Sequence, residues 1–306
     1  MTDLAQTSSK PGFLALARAL LKTMRPRQWT KNGFVFAALM FDGKLFEPVL
    51  LMRTTVAFVC FCLISSTTYL INDLVDIEKD RQHPTKCNRP LAAGILPPWI
   101  AVAAAIVFAV VCLPVAFWLS PTFGAILTGY LLLTLAYTFY LKHVVIVDLL
   151  VLATGFVLRV AGGVAVIDVE RFSPWLYVCM ILLALFIVMG KRRHELILLE
   201  GKASRHRASL ENYNLRFIDE MIALVASAIV MAYSLYTFSA PNLPQNHTMM
   251  LTIPLVLYGL FRYLYLIHVK GEGGAPEELL LRDRPLLIDV ALWILAVVIV
   301  LYVLPS

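Results

Sequence analysis

Four polar side chains at the end of a long apolar run have the spacing for metal-assisted phosphate chemistry: Asn72, Asp73, Asp76 and Asp80. On a helix, offsets of one, four and eight residues from Asn72 fall on one stripe. Like charges stacked in this way repel, so the stripe gains chiefly when a cation bridges its carboxylates. Mg²⁺ suits it, because that ion takes one or two carboxylates and fills its other positions with phosphate oxygens and water. Asp73, Asp76 and Asp80 are therefore the candidate metal ligands and catalytic residues, with Asn72 beside them. A few residues on, His83-Pro-Thr-Lys-Cys-Asn-Arg89 adds Lys86 and Arg89, cations suited to phosphate. A solvated helix end with ordinary surface charge is the plainer alternative for the whole segment.

Two further basic runs invite the same chemistry. Gly190-Lys-Arg-Arg-His-Glu195 offers Lys191, Arg192 and Arg193 for direct, charge-assisted contact with phosphate. Met24-Arg-Pro-Arg-Gln-Trp-Thr-Lys-Asn32 offers Arg27, Lys31 and Asn32. Both runs also suit a simpler role as interfacial anchors that set orientation, the second beside Trp29.

The elements that must hold these groups are membrane spans. The 306 residues are 60% hydrophobic and 15% charged, with a mean hydropathy of +0.79, which excludes a disordered chain, a coiled coil and a disulfide scaffold. Thr54–Ile71, Leu91–Leu141, Phe172–Gly190 and Met221–Phe261 contain no charged residue, and a spanning helix needs about 20 apolar positions. The second and fourth stretches are long enough for two helices each, with turns at Ser120-Pro121 and at Pro241–His247. With the weaker segments included, the pattern predicts nine spans, near 30–46, 52–72, 97–118, 121–141, 145–166, 173–190, 218–239, 249–268 and 285–304. Asp42 and Lys44 interrupt the first, which reads as short or tilted.

Of the 26 Lys and Arg residues, only Lys44, Arg53 and Arg171 fall on one side of this topology, and Arg159 and Arg262 fall within spans. The rest lie on the opposite side, which the positive-inside rule makes cytoplasmic. The net charge of +6 is thus an orientation signal; no basic soluble domain exists to bind nucleic acid. Phe13–Met24 reads as an amphipathic helix on the membrane surface rather than a cleavable signal, so residues 1–27 form an interfacial segment and 28–306 one transmembrane catalytic domain. The five cysteines include no CxxC pair and imply neither a disulfide nor a zinc site. In the fifth span Asp148 and Arg159 share a face, as a polar cavity wall or in a structural ion pair with a neighbouring helix, and Gly162-Gly163 permits close helix packing.

Asn72-Asp73-x-x-Asp76-x-x-x-Asp80 followed by Arg89-Pro90-Leu91-x-x-Gly94 resembles the first signature of the UbiA-type intramembrane prenyltransferase superfamily. That resemblance implies an all-α bundle of nine transmembrane helices with a polar, cytoplasm-facing cavity and a Mg²⁺-diphosphate site. It also implies that Tyr137 and Lys142, at the exit of the fourth span, contact phosphate. The second half departs from the common pattern, since the Gly190–Glu195 run replaces a second Asp-rich motif. With the N-terminal basic run, it resembles the decaprenyl-phosphate phosphoribosyltransferase branch. Members of that branch move 5-phosphoribose from phosphoribosyl pyrophosphate (PRPP) to a polyprenyl phosphate, a step towards arabinan precursors of bacterial cell walls. PRPP asks for one metal-carboxylate site and one cationic cluster, and the sequence offers one of each.

The implied setting is the plasma membrane of a bacterium, with the active site facing the cytoplasm. A prenyltransferase acting on an aromatic acceptor is the alternative, and a homo-oligomeric assembly is left open. A transporter would place its ionisable groups near the bilayer midplane. Here the acids cluster at one membrane face instead.

Overall fold

The computed structural model describes residues 12–167, 173–199, 213–240, 243–244, 246–274 and 276–304. Lys10, Arg171 and residues 200–212 of the basic stretch lie outside the described residues. Every regular element described is helical. Short 3₁₀ turns at Lys86–Asn88, Leu141–His143 and Thr248–Thr252 apart, in chain order these are α1 (Phe13–Met24), a 3₁₀ segment (Pro26–Phe36), α2 (Ala37–Phe41), α3 (Pro48–Val75), α4 (Ile77–Arg81), α5 (Pro98–Leu119) and α6 (Pro121–Phe139). There follow α7 (Val147–Ile167), α8 (Pro174–Leu199), α9 (Leu215–Ser239), α10 (Ile253–His268), α11 (Pro276–Arg282) and α12 (Arg284–Val298), the last continuing as a π turn over Ile299–Val303.

Local chemistry sets the boundaries. Proline stands in the first turn of α3, α5, α6, α10 and α12, where its missing N–H costs nothing. Ser120 alone separates α5 from α6, and its hydroxyl accepts from Phe123 N. Asn214 and Asp283 cap α9 and α12 in the same way. Within α3, the Ser65, Ser66, Thr67 and Thr68 hydroxyls donate to carbonyls three or four residues back, which lets polar side chains sit in an apolar bundle.

Eight helical stretches among the described residues are long and apolar enough to cross a membrane. The expected ninth, near 30–46, is corrected: there the chain forms the 3₁₀ segment and the five-residue α2, and then leaves the helix at Asp42, which pairs with Lys44 at 2.8 Å. Its apolar residues are too few, and interrupted by Lys31, Asn32 and Asp42, to make a lipid-facing span.

This segment packs inward instead. Val35, Ala38 and Leu39 are buried, and the Val35 carbonyl lies so close to Gly163 that a Cβ there would sit 2.1 Å from it. Gly162 meets Phe61 with similar closeness, so the glycine pair does permit tight packing. Around this plug, each helix from α5 to α10 packs against the next in sequence, α3 against α5, and α10 against α12. The ring is closed where Tyr302 donates to Met40 O at 3.0 Å and Phe41 meets Tyr236 and Trp293. Large apolar side chains such as Trp118 and Leu224 remain exposed, which suits lipid rather than water.

Candidate functional site at the inner helix ends

α3 delivers Asn72 and Asp73, breaks at Asp76 (φ −95°, ψ 10°), and resumes as α4 with Asp80. The break keeps the helical bonds Asp76 N to Asn72 O (3.0 Å) and Asp80 N to Asp76 O (2.8 Å), so the stripe survives the kink. Asp73 and Asp80 are buried, and Asp76 is half-buried. The connection that follows returns over them. The His83 ring accepts from Thr85 N and Lys86 N, and Gly94 at φ +73° makes the turn that sends Ile95 N and Leu96 N to Pro90 O.

That fold-back brings Arg89 onto the stripe. Its Nη1 lies 3.0 Å from Asp73 Oδ1 and 2.6 Å from Asp80 Oδ2. Arg25 reaches Asp73 Oδ1 from the other side at 2.6 Å and stacks on the Tyr69 ring. Lys142, in the turn after α6, lies 3.6 Å from Asp76 Oδ1. Two carboxylates close enough to share one guanidinium, beside a third held by a lysine, can bind a divalent cation together with a diphosphate. No group of three or more His, Cys, Asp or Glu side chains among the described residues forms a ready-made metal cage. Mg²⁺ does not need one, because phosphate and water complete its shell.

Beside the stripe lies a second buried network. Arg192 donates to Glu195 and, at 3.3 Å, to Tyr137 OH. Its Nη2 is also 2.9 Å from Asp148 Oδ2, a charge contact outside hydrogen-bond alignment. Tyr213 OH donates to Asp148 Oδ1 (2.9 Å) and accepts from Ile146 N (2.6 Å), where the backbone has φ +68°. Burial pushes the Tyr213 phenol up to about 12. This network fixes the turn between α6 and α7, which carries Lys142.

The sequence candidates therefore divide. Asp73, Asp80 and Arg89 meet directly, Asp76 meets Lys142, and Tyr137 meets Arg192. Arg193 is bound elsewhere, to Asp219 and Ile267 O. Asn72 and Lys86 are half-buried near the stripe, Lys31 is half-buried on the 3₁₀ segment, and Arg27 and Lys191 are exposed. Asn32 and Arg159 lie together in the bundle interior: Arg159 Nε donates to Asn32 Oδ1 (2.6 Å), Nη1 to Gly155 O and Nη2 to Tyr130 OH. Asp148 and Arg159 share α7 without pairing.

Sequence reasoning missed Arg25 as a partner of the stripe, and missed Tyr213 and Glu195. The left-handed backbone at Arg25 (φ +56°), which ends α1 and turns the chain into the 3₁₀ segment, has no sequence signature in an arginine.

Known proteins show the same fold and, over nearly the whole length, related sequences. The decaprenyl-phosphate phosphoribosyltransferase of Mycolicibacterium smegmatis is 37% identical, over 96% of this chain and 95% of its own. That of Mycobacterium tuberculosis is 37% identical over 92% and 94%, and that of Corynebacterium glutamicum 33% over 95% and 89%. A UbiA homologue from Archaeoglobus fulgidus, solved with GPP and Mg²⁺, superposes with a TM-score of 0.70 at 17% identity, covering 93% of this chain and 100% of that one. Residues 33–280 match the profile of the UbiA prenyltransferase family, and the chain belongs to that family.

Proposed function

We propose that the protein transfers 5-phosphoribose from PRPP to a polyprenyl phosphate of the decaprenyl type and releases pyrophosphate, as a step towards lipid-linked arabinose precursors. The observation that carries this reading is the near-full-length relation to three decaprenyl-phosphate phosphoribosyltransferases. The stripe and its cations support it. Asp73, Asp76 and Asp80 would hold Mg²⁺ at the stripe where the donor diphosphate binds, with Asn72 beside them. The ion, when bound, supplies positive charge to the leaving group. Arg89, Lys86 and Lys142 neutralise the charge that develops there as the bond to the ribosyl C1 stretches, and Tyr137 orients a phosphate oxygen. Arg25, already on Asp73, joins them.

The acceptor phosphate is an anion at neutral pH, because a phosphate monoester has a second pKa of about 6, so the residues need supply no general base. Lys191, with Arg27 and Lys31 on the N-terminal segment, faces the phosphate ends of the substrates. Arg192 and Arg193 spend their charge on Asp148, Glu195 and Asp219, and so act on this region mainly by holding it in place. Asn32 and Arg159 form the polar wall deeper in the bundle, where the lipid enters. The catalytic face is cytoplasmic and the membrane is the plasma membrane of a bacterium, on the strength of the Lys and Arg distribution.

The test places purified protein in lipid nanodiscs with Mg²⁺, ribose-labelled PRPP and polyprenyl phosphate. Metal-dependent entry of label into the lipid phase is expected. Absence of that product, with transfer instead from a polyprenyl diphosphate to 4-hydroxybenzoate, would assign the chain to prenyl transfer.

A further inference from the structure

Between α4 and Arg89 the chain makes one tight turn, and its shape depends on His83. Pro84 has no N–H and disfavours helical backbone at His83, so α4 cannot run on. The imidazole folds over the turn instead. Its Nδ1 lies 3.2 Å from Thr85 N, 3.3 Å from Lys86 N and 3.2 Å from Thr85 Oγ1. Backbone N–H groups only donate, so Nδ1 is the bare acceptor nitrogen, the Thr85 hydroxyl donates to it as well, and the ring proton sits on Nε2. One nitrogen thereby does what an Asn or Asp oxygen does at a cap, accepting from the N–H groups two and three residues on. The unit it caps is the 3₁₀ turn Lys86–Asn88, to which the N-cap residue Thr85 gives no side-chain bond.

The turn leads directly to the aspartate stripe. Cys87 N donates to His83 O (3.2 Å) and Arg89 N to Lys86 O (2.9 Å). Arg89 Nη1 then reaches Asp73 and Asp80. The imidazole, the Lys86 backbone, the Arg89 side chain and two carboxylates thus form one connected series, and both cations of the segment hang from the part that the ring closes. Lys22 of α1 braces it from outside, 3.4 Å from Asn88 O. Thr85 is exposed and Lys86 half-buried, so water can replace the ring as acceptor. Loss of the ring therefore loosens the turn without unfolding the bundle.

We propose that His83 is a positioning residue of the pyrophosphate site: its imidazole caps the turn that aims Lys86 and Arg89 at the diphosphate on the stripe. The proposal deepens the phosphoribosyl reading above and rests on it for the identity of the donor alone, since pyrophosphate is also the leaving group of prenyl transfer.

Calorimetric titration of pyrophosphate with Mg²⁺ into the full-length protein in nanodiscs compares the wild type with His83→Ala and His83→Asn. His83→Ala removes the acceptor, and pyrophosphate affinity is expected to fall about fivefold, the order of one lost cap. An Asn Oδ1 can accept from the same two N–H groups, so His83→Asn is expected to bind within about twofold of the wild type. In steady state the KM for PRPP follows the same order across the three proteins, and the KM for polyprenyl phosphate stays constant.

Equal pyrophosphate affinity in the wild type and His83→Ala overturns the proposal. So does equal weakening in both variants, which would make the imidazole itself a ligand contact. A fall in kcat with both KM values unchanged overturns it as well, because that is the mark of a smaller active fraction, and so does an absence of pyrophosphate binding by the wild type. If pyrophosphate binds and PRPP gives no product, the phosphoribosyl reading fails by itself, and the three affinities still decide the role of His83.

Discussion

Asp73 Oδ1 accepts from two arginines while Asp76, among the described residues, pairs with one lysine at 3.6 Å, and this difference ranks the tests of the stripe. Removing the Asp73 charge takes the carboxylate from Arg25 and leaves Arg89 with Asp80, which confounds stability with chemistry. Asp76→Asn is cleaner: turnover is expected to fall more than about 10²-fold, as when one electrostatic stabiliser is deleted, with the unfolding midpoint unchanged. Near-wild-type turnover in the purified variant would remove Asp76 from the site. Arg89→Lys keeps the charge and replaces the planar guanidinium, whose Nη1 meets both Asp73 and Asp80, by a single ammonium on a shorter reach, so the KM for PRPP should rise about tenfold in steady-state assays. The stripe was legible because its spacing is local. The partners of Arg192 and Arg159 were not, since each is chosen by helices that meet only in the folded bundle: Asp148 lies 44 positions before Arg192, and Asn32 is 127 positions from Arg159.

At the scale of elements, the inner plug and the α6–α7 turn depend on single contacts. In Gly163→Ala the new methyl group meets backbone at Val35, which cannot swing aside as a side chain can. An overpacking cost of about 1–3 kcal/mol is expected, read as a lower thermal midpoint in detergent. Tyr213→Phe deletes the hydroxyl that holds Ile146 N and Asp148, and about 1–2 kcal/mol of stability with it. Because the folded phenol titrates near 12 and an unfolded one near 10, this latch is fully present below pH 10 and is lost as pH rises through 12. A wild-type stability profile that already falls between pH 7 and 9 through this tyrosine would contradict the assignment. Six spans were readable from uncharged length alone, and the spans carrying Asp148 with Arg159 and Asp289 from weaker apolar segments. The ninth was not, because an apolar stretch interrupted by Lys31, Asn32 and Asp42 looks like a weak span, whereas in the bundle it is an inward-packed 3₁₀ segment.

For the whole molecule, the charge asymmetry that orients the chain puts the stripe, Lys142 and Lys270 on one face. Cys87 reports on that face, since Cys60, Cys62, Cys112 and Cys179 are buried and Cys87 is partly exposed between Lys86 and Arg89. A membrane-impermeant maleimide is expected to label Cys87 in inside-out vesicles and to leave right-side-out vesicles unlabelled; the reverse pattern would invert the topology. The central claim, that one carboxylate stripe splits PRPP between a lipid and water, is tested most directly with a doubly labelled donor. PRPP carrying one label in the ribose and another in the β-phosphate is incubated with polyprenyl phosphate, Mg²⁺ and the protein in nanodiscs. The account predicts ribose label in the lipid phase and phosphate label in aqueous pyrophosphate, in equal amounts, with neither product in Asp76→Asn. Both labels remaining in water as intact donor, or ribose label reaching the lipid equally in Asp76→Asn, would contradict it.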